Sequence, residues 1–234
     1  MPLKTLINYS PNFNKKKRLK TEVQFIIIHY TGMKSEKAAL KRLTDIQSEV
    51  SSHYFIHKNG SISLLVPELY IAWHAGKSKW KSQSFLNKNS IGIEITNPGH
   101  RFRYKNFTYK QIKSVIILIR YLVNKYRISK KNILGHSDIA PDRKRDPGEK
   151  FPWEYLAKKK LSIWHNIKQQ ELKNLRKKKC NKIEKYKFSK NLIKIGYSSK
   201  NLVKATKAFQ RRFRPLIIDG QIDQECFKIS KKLV

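Results

Sequence analysis

Residues 23–30 read VQFIIIHY, an apolar run of strand length interrupted only by Gln24 before His29 at its downstream end. Such a strand is satisfied only inside a sheet covered on both sides, which is the situation of an α/β fold. Covering helices follow in the chain. Ser35 can cap a helix that places Ala39, Leu40, Leu43 and Ile46 on one face. Thr108 and Gln111 form a capping-box pattern ahead of Ile112, Val115, Ile116, Ile119, Val123 and Tyr126 at helical spacing. Between these, Asn59-Gly60 separates residues 53–57 from residues 61–66 and signals a hairpin. Residues 91–96 and 132–135 read as further strands, so the expected architecture is a central mixed β-sheet flanked by helices.

His29 stands at the downstream end of that first strand, where a buried strand delivers its side chain to the rim of a sheet. The stretch 135–153, GHSDIAPDRKRDPGEKFPW, carries His136 and Asp146 with Pro141 and Pro147 between or beside them, so it is neither a continuous helix nor a central strand. A loop this rich in His, Asp and Arg has a physical reason to be ordered if it holds a divalent metal. His29, His136 and Asp146 give two nitrogens and one oxygen and leave a fourth tetrahedral position open, which is the pattern of a catalytic zinc. In IGIEIT the isoleucines share one face and Glu94 lies on the other. A carboxylate there either faces solvent or is held near a metal that makes it useful as a base. Trp73-His74-Ala75-Gly76 would by itself be a buried aromatic beside a satisfied histidine. His53 and His57 share one face of their strand, a packing feature more often than a metal site.

In order along the chain, IIIHYT, SSHYFIHKNGSI, AWHAG, SIGIEI and GHSDIAPDRKRDPG resemble the zinc-dependent N-acetylmuramoyl-L-alanine amidases, the superfamily shared with peptidoglycan recognition proteins and phage lysozyme-like amidases. The resemblance spans about residues 20–165. It implies hydrolysis of the amide joining N-acetylmuramic acid to L-alanine in peptidoglycan or muropeptides, with one zinc per chain on His29, His136 and Asp146. It implies Glu94 as the base and Lys144 as the cation that stabilises the oxyanion, although Arg143 and Arg145 flank Lys144 and the residues alone do not choose among the three. Trp73 and His74 are implied to line the substrate groove, and His53, near the cleft, to be at most a residue that supports the site from behind or one on the substrate side. Asp at the third ligand position, where recognition proteins and phage enzymes more often carry Cys, places the chain nearer the bacterial muropeptide amidases. A non-catalytic recognition protein is the competing reading, and a phage endolysin of the same chemistry another.

The expected organisation is a catalytic domain over 1–168, a basic linker over 169–190 and a small helical unit over 191–234. AFQRRFRP followed by IDGQID in that last segment resembles the peptidoglycan-binding domain often attached to such amidases, and no proposed catalytic residue lies within it. A helix starting at Pro152 is expected to carry Trp153, Leu156, Leu161, Trp164 and Ile167 on its inner face. The chain carries 52 basic and 16 acidic residues. Their balance points to polyanionic surroundings, but the excess is spread over every segment, so no specific nucleic-acid partner is expected. Only Cys180 and Cys226 are present, which implies neither a disulfide framework nor a thiolate metal cluster. No apolar run of signal-peptide length precedes the first basic cluster, no cysteine lies near the N-terminus for lipid attachment, and no stretch spans a membrane. A cytoplasmic monomer is the expectation, with phage-type release as the alternative.

Overall fold

The structure, a computed structural model, describes residues 3–234; Met1 and Pro2, where the expected catalytic domain begins, lie outside the described residues. A six-stranded sheet forms its centre. Its strands are β1 (Leu6–Ile7), β2 (Phe25–Tyr30), β3 (Tyr54–Ile56), β4 (Ile62–Leu64), β5 (Ser90–Ile95) and β6 (Ile133–Gly135). The spatial order is β1-β4-β3-β5-β2-β6, and every pair is parallel except the β3–β4 hairpin, turned by Asn59-Gly60 as its sequence predicts. The sheet is therefore mixed. Because β5, β2 and β6 are neighbours running the same way, their carboxyl ends open along one edge, with Glu94 beside His29 and Gly135 beside Ile28.

Strand alternation sends the side chains of that edge into two cores. Ile26, Ile28, Ile91, Ile93 and Ile95 pack with α2 (Tyr109–Tyr126) and α4 (Trp153–Lys158). The α2 helix is capped by Thr108 and Gln111 as expected. Burying an isoleucine of this kind contributes about 1.5–3 kcal/mol. On the opposite face Phe55 meets α1 (Glu36–Thr44), whose N-cap is Ser35, while Phe25, Ile27 and Leu134 enter a larger core. Ile46, expected on the inner face of that first helix, falls beyond its end and is exposed.

Two expectations are corrected here. The helix beginning at Trp153 stops at Lys158 instead of continuing to Ile167, because Lys160 takes a φ of 63° and the Leu161 N–H returns to the Leu156 carbonyl at 2.9 Å. This left-handed closure ends the helix while keeping Leu161 buried. Residues 169–190, expected as an exposed linker, instead form α5 (Gln169–Leu175) and the larger part of α6 (Lys182–Ile195). Leu172, Cys180 and Phe188 from this run are buried in the same core as Phe25, Ile27 and Leu134. That core continues into α7 (Leu202–Phe213) and α8 (Gln224–Leu233) through Phe209, Phe213, Phe227 and Ile229. Among the described residues no helix is long and apolar enough to cross a membrane.

Candidate active site

The carboxyl ends of β2 and β6 deliver two histidines to one point. His29 is the fifth residue of β2, and His136 opens α3 (His136–Ile139), a single turn directly after β6. The loop beyond α3 folds back on itself, and the Ser137 N–H donates to the Asp146 carbonyl at 2.8 Å, which returns the Asp146 side chain to the turn it left. Gly135 permits this return, since a Cβ there would lie 2.7 Å from Pro147 Cδ.

Three donor atoms converge as a result. His29 Nδ1 and His136 Nδ1 are 2.9 Å apart, and each is 3.0 Å from Asp146 Oδ2. Donors around a zinc ion at 2.0–2.1 Å stand about 3.3 Å from one another, so this set fits a metal ion after a small expansion. All three residues are buried, and together they could hold a metal.

The surrounding hydrogen bonds fix which nitrogen of each ring is free. His136 Nε2 lies 3.1 Å from the Ala75 carbonyl, which can only accept, so Nε2 carries the proton and Nδ1 presents its lone pair to the site. For His29 the same conclusion runs through a longer chain. Ser90 Oγ donates to the Leu86 carbonyl at 2.5 Å and accepts from His74 Nε2 at 3.2 Å, which leaves His74 Nδ1 to accept from His29 Nε2 at 3.1 Å. Partners of this kind orient metal-ligating imidazoles and set their tautomers. His74 reaches its place only because Gly92 has no side chain: a Cβ at Gly92 would stand 2.4 Å from His74 Cγ.

Electrostatics reinforce the arrangement. Burial, and then the neighbouring His136, lower the His29 pKa to about 4, so the ring is neutral near pH 7. Burial alone would raise the Asp146 carboxyl, yet His136 and then His29 outweigh it and hold the group well below the usual carboxylate range. Glu94 behaves oppositely. Burial first, and the Asp146 charge second, push it to about 8 against the pull of Lys144. Its Oε2 is buried with no hydrogen-bond partner among the described residues.

These groups line a cavity of about 540 Å³, together with Tyr30, Trp73, His74, Arg42, Arg101, Arg143, Lys144 and Arg145. The structure separates the three basic candidates on the loop. Arg143 spends its guanidinium on the carbonyls of Ala75 and Lys77. Arg145 is exposed. Lys144, half-buried beside Glu94 and Asp146, makes no side-chain hydrogen bond or ion pair among the described residues. Trp73 lines the cavity, its Nε1 donating to Asn14 Oδ1 at 2.6 Å.

His53 does not line the cavity. It is fully buried behind β5, accepting from the Gly92 N–H at 2.9 Å and donating to the Tyr70 carbonyl at 3.0 Å, so the expected substrate-side role gives way to a structural one. His74 lines the cavity, but both its ring nitrogens are committed to His29 and Ser90. Reading the sequence missed the part Ser90 plays, whose signal was its place at the head of the SIGIEI strand, and left Arg143 open beside Lys144.

Comparison with known proteins shows what the chain as a whole resembles. A family model described as N-acetylmuramoyl-L-alanine amidase matches residues 19–149. The N-acetylmuramoyl-L-alanine amidase AmiD of Escherichia coli is 33% identical over 230 residues, covering 91% of this chain and 82% of the relative. A structure of E. coli AmiD in complex with the substrate anhydro-N-acetylmuramic acid-L-Ala-D-gamma-Glu-L-Lys superposes with a TM-score of 0.81 at 31% identity, over 94% of this chain and 91% of that one. AmpDh3 of Pseudomonas aeruginosa in complex with anhydromuramic pentapeptide gives a TM-score of 0.79 at 28% identity, over 95% of each chain.

Proposed function

This chain belongs to the N-acetylmuramoyl-L-alanine amidase family and is an amidase of that activity, and on that premise we propose that zinc held by His29, His136 and Asp146 serves the reaction, with Glu94 as base and Lys144 as oxyanion stabiliser. The bond cleaved is the amide between N-acetylmuramic acid and L-alanine, in peptidoglycan or its fragments. One observation carries the reading: two imidazole lone pairs and a carboxylate face each other at about 3 Å beside a carboxyl whose buried oxygen has no partner among the described residues. When bound, zinc supplies Lewis acidity, which polarises an amide carbonyl and acidifies water.

The chain's own residues account for the remaining work. Burial and the Asp146 charge hold the Glu94 carboxyl at about 8 even against the pull of Lys144, close to neutral pH, so Glu94 can take a proton from the attacking water and return it to the leaving amine. Lys144, whose ammonium has no partner among the described residues, meets the negative charge that develops on the carbonyl oxygen. Trp73 offers a stacking face for a sugar ring. Arg42 and Arg101 give the cavity a cationic wall suited to the carboxylates of a peptide stem. Residues 191–234 are proposed to add contacts to the glycan outside the cleft. Incubation of the purified, metal-replete chain with soluble anhydro-muropeptides and with intact sacculi, read by mass spectrometry, tests the assignment. Release of free stem peptides supports it, and intact amides in both substrates reject it.

A further inference from the structure

Asp138 lies on α3 two residues after His136 and is only 1% exposed. A carboxylate this deep is tolerated only when it is paired and hydrogen-bonded. Its Oδ2 accepts from the Gly135 N–H at 2.8 Å and from Arg212 Nη1 at 2.6 Å, and its Oδ1 accepts from the Tyr197 hydroxyl at 2.7 Å. Arg212 is itself 2% exposed; its Nη2 donates to the Ile133 carbonyl at 3.0 Å and to Ser162 Oγ at 3.3 Å, and its guanidinium lies 4.3 Å from the centre of the Trp153 ring. One guanidinium and one phenol therefore grip the start of β6, the β6–α3 junction and the acidic residue of α3, which together form the mount of His136. Arg212 comes from α7 and Tyr197 from the connection between α6 and α7, and neither lies in the segment that the family model matches.

We infer that Arg212 and Tyr197 are positioning residues for the amidase: acting through Asp138, they hold the turn that carries His136, so the C-terminal helices complete the metal site. The inference rests on the zinc reading of that site. A ligand's affinity for its metal depends on the groups that orient it, and His136 is aimed both by its own bond to Ala75 and by the rigidity of the turn beneath it. The matched core of the protein thus borrows part of its metal site from residues far along the chain.

The test uses the full-length protein. Tyr197→Phe removes one hydroxyl without changing the shape of the ring, Arg212→Lys keeps the charge but loses the fork, and Phe188→Leu perturbs the same C-terminal core away from α3. Zinc affinity is measured by chelator competition, the visible spectrum is recorded for the cobalt-substituted protein, and kcat and KM are determined on a soluble muropeptide. Tyr197→Phe and Arg212→Lys are expected to bind zinc roughly 10- to 100-fold more weakly, with a changed cobalt spectrum and a fall in kcat at nearly constant KM. Phe188→Leu is expected to lower thermal stability while zinc affinity and spectrum stay as in the wild type. Wild-type zinc affinity in a folded Tyr197→Phe protein overturns the inference even if Arg212→Lys fails to fold, and so does an equal loss of zinc affinity in Phe188→Leu. A wild-type chain that binds no zinc removes both this inference and the reading beneath it; a zinc-binding wild type with unaffected variants removes only the inference.

Discussion

Glu94→Gln keeps the shape of the side chain and removes its basicity, and Lys144→Met keeps its length and removes its charge. Neither residue belongs to the converging donor set, so each variant is expected to retain its metal while losing roughly 10²-fold or more in turnover. Bound zinc measured beside kcat checks this: loss of metal in Glu94→Gln would make Glu94 a ligand, and full activity would place the base elsewhere. A second expectation at this scale concerns pH. His29 has a folded pKa of about 4 against an unfolded value near 6.5, so its contribution is present above pH 6.5 and is lost as pH falls toward 4. In the zinc-free protein this loss destabilises the folded state as pH falls through that window. Denaturant titrations across that window should show the decline, and His29→Asn should flatten it; an equally steep decline in the variant would assign the effect to other groups.

At the scale of elements, strand register decided what could be read from the sequence. His29 and Glu94 were legible because an apolar run and an alternating run each place one polar side chain at a definable end and face, and parallel pairing then sets the two side by side. His136 and Asp146 were legible from loop chemistry alone. The support of His29 by His74 was not, because it depends on Gly92, a residue of a different strand whose missing side chain makes the space. Residues 169–190 misled for a related reason: lysines outnumber apolar residues, yet Leu172 and Phe188 fall where the core receives them, and the Asn181–Glu184 capping box that starts α6 was present to be read. Two outcomes follow. Gly92→Ala should displace His74 and weaken metal binding, detectable as lower zinc content after dialysis. Phe188→Ala should cost about 3–5 kcal/mol by denaturant unfolding, as for a packed core aromatic; a value near zero would restore the linker.

For the whole molecule, the core that backs the active-site face of the sheet runs without interruption into the C-terminal helices. The pairing of Arg212 with Asp138, residues 74 positions apart, could not be read from local pattern. The sequence suggests that removing residues 191–234 leaves turnover of small fragments intact, whereas the structure predicts that the truncated chain loses zinc and turnover together with stability, because that deletion strips the sheet of Phe209 and Phe213 and α3 of its guanidinium. The central claim, that catalysis depends on a metal held by His29, His136 and Asp146, is tested most directly by measuring zinc content and amidase turnover on a soluble muropeptide in the same preparation, before chelation, after chelation and after zinc is restored, with His136→Ala in parallel. The predicted result is one zinc per chain, activity that disappears and returns with the metal, and a His136→Ala protein lacking both; full activity in metal-free protein would contradict it.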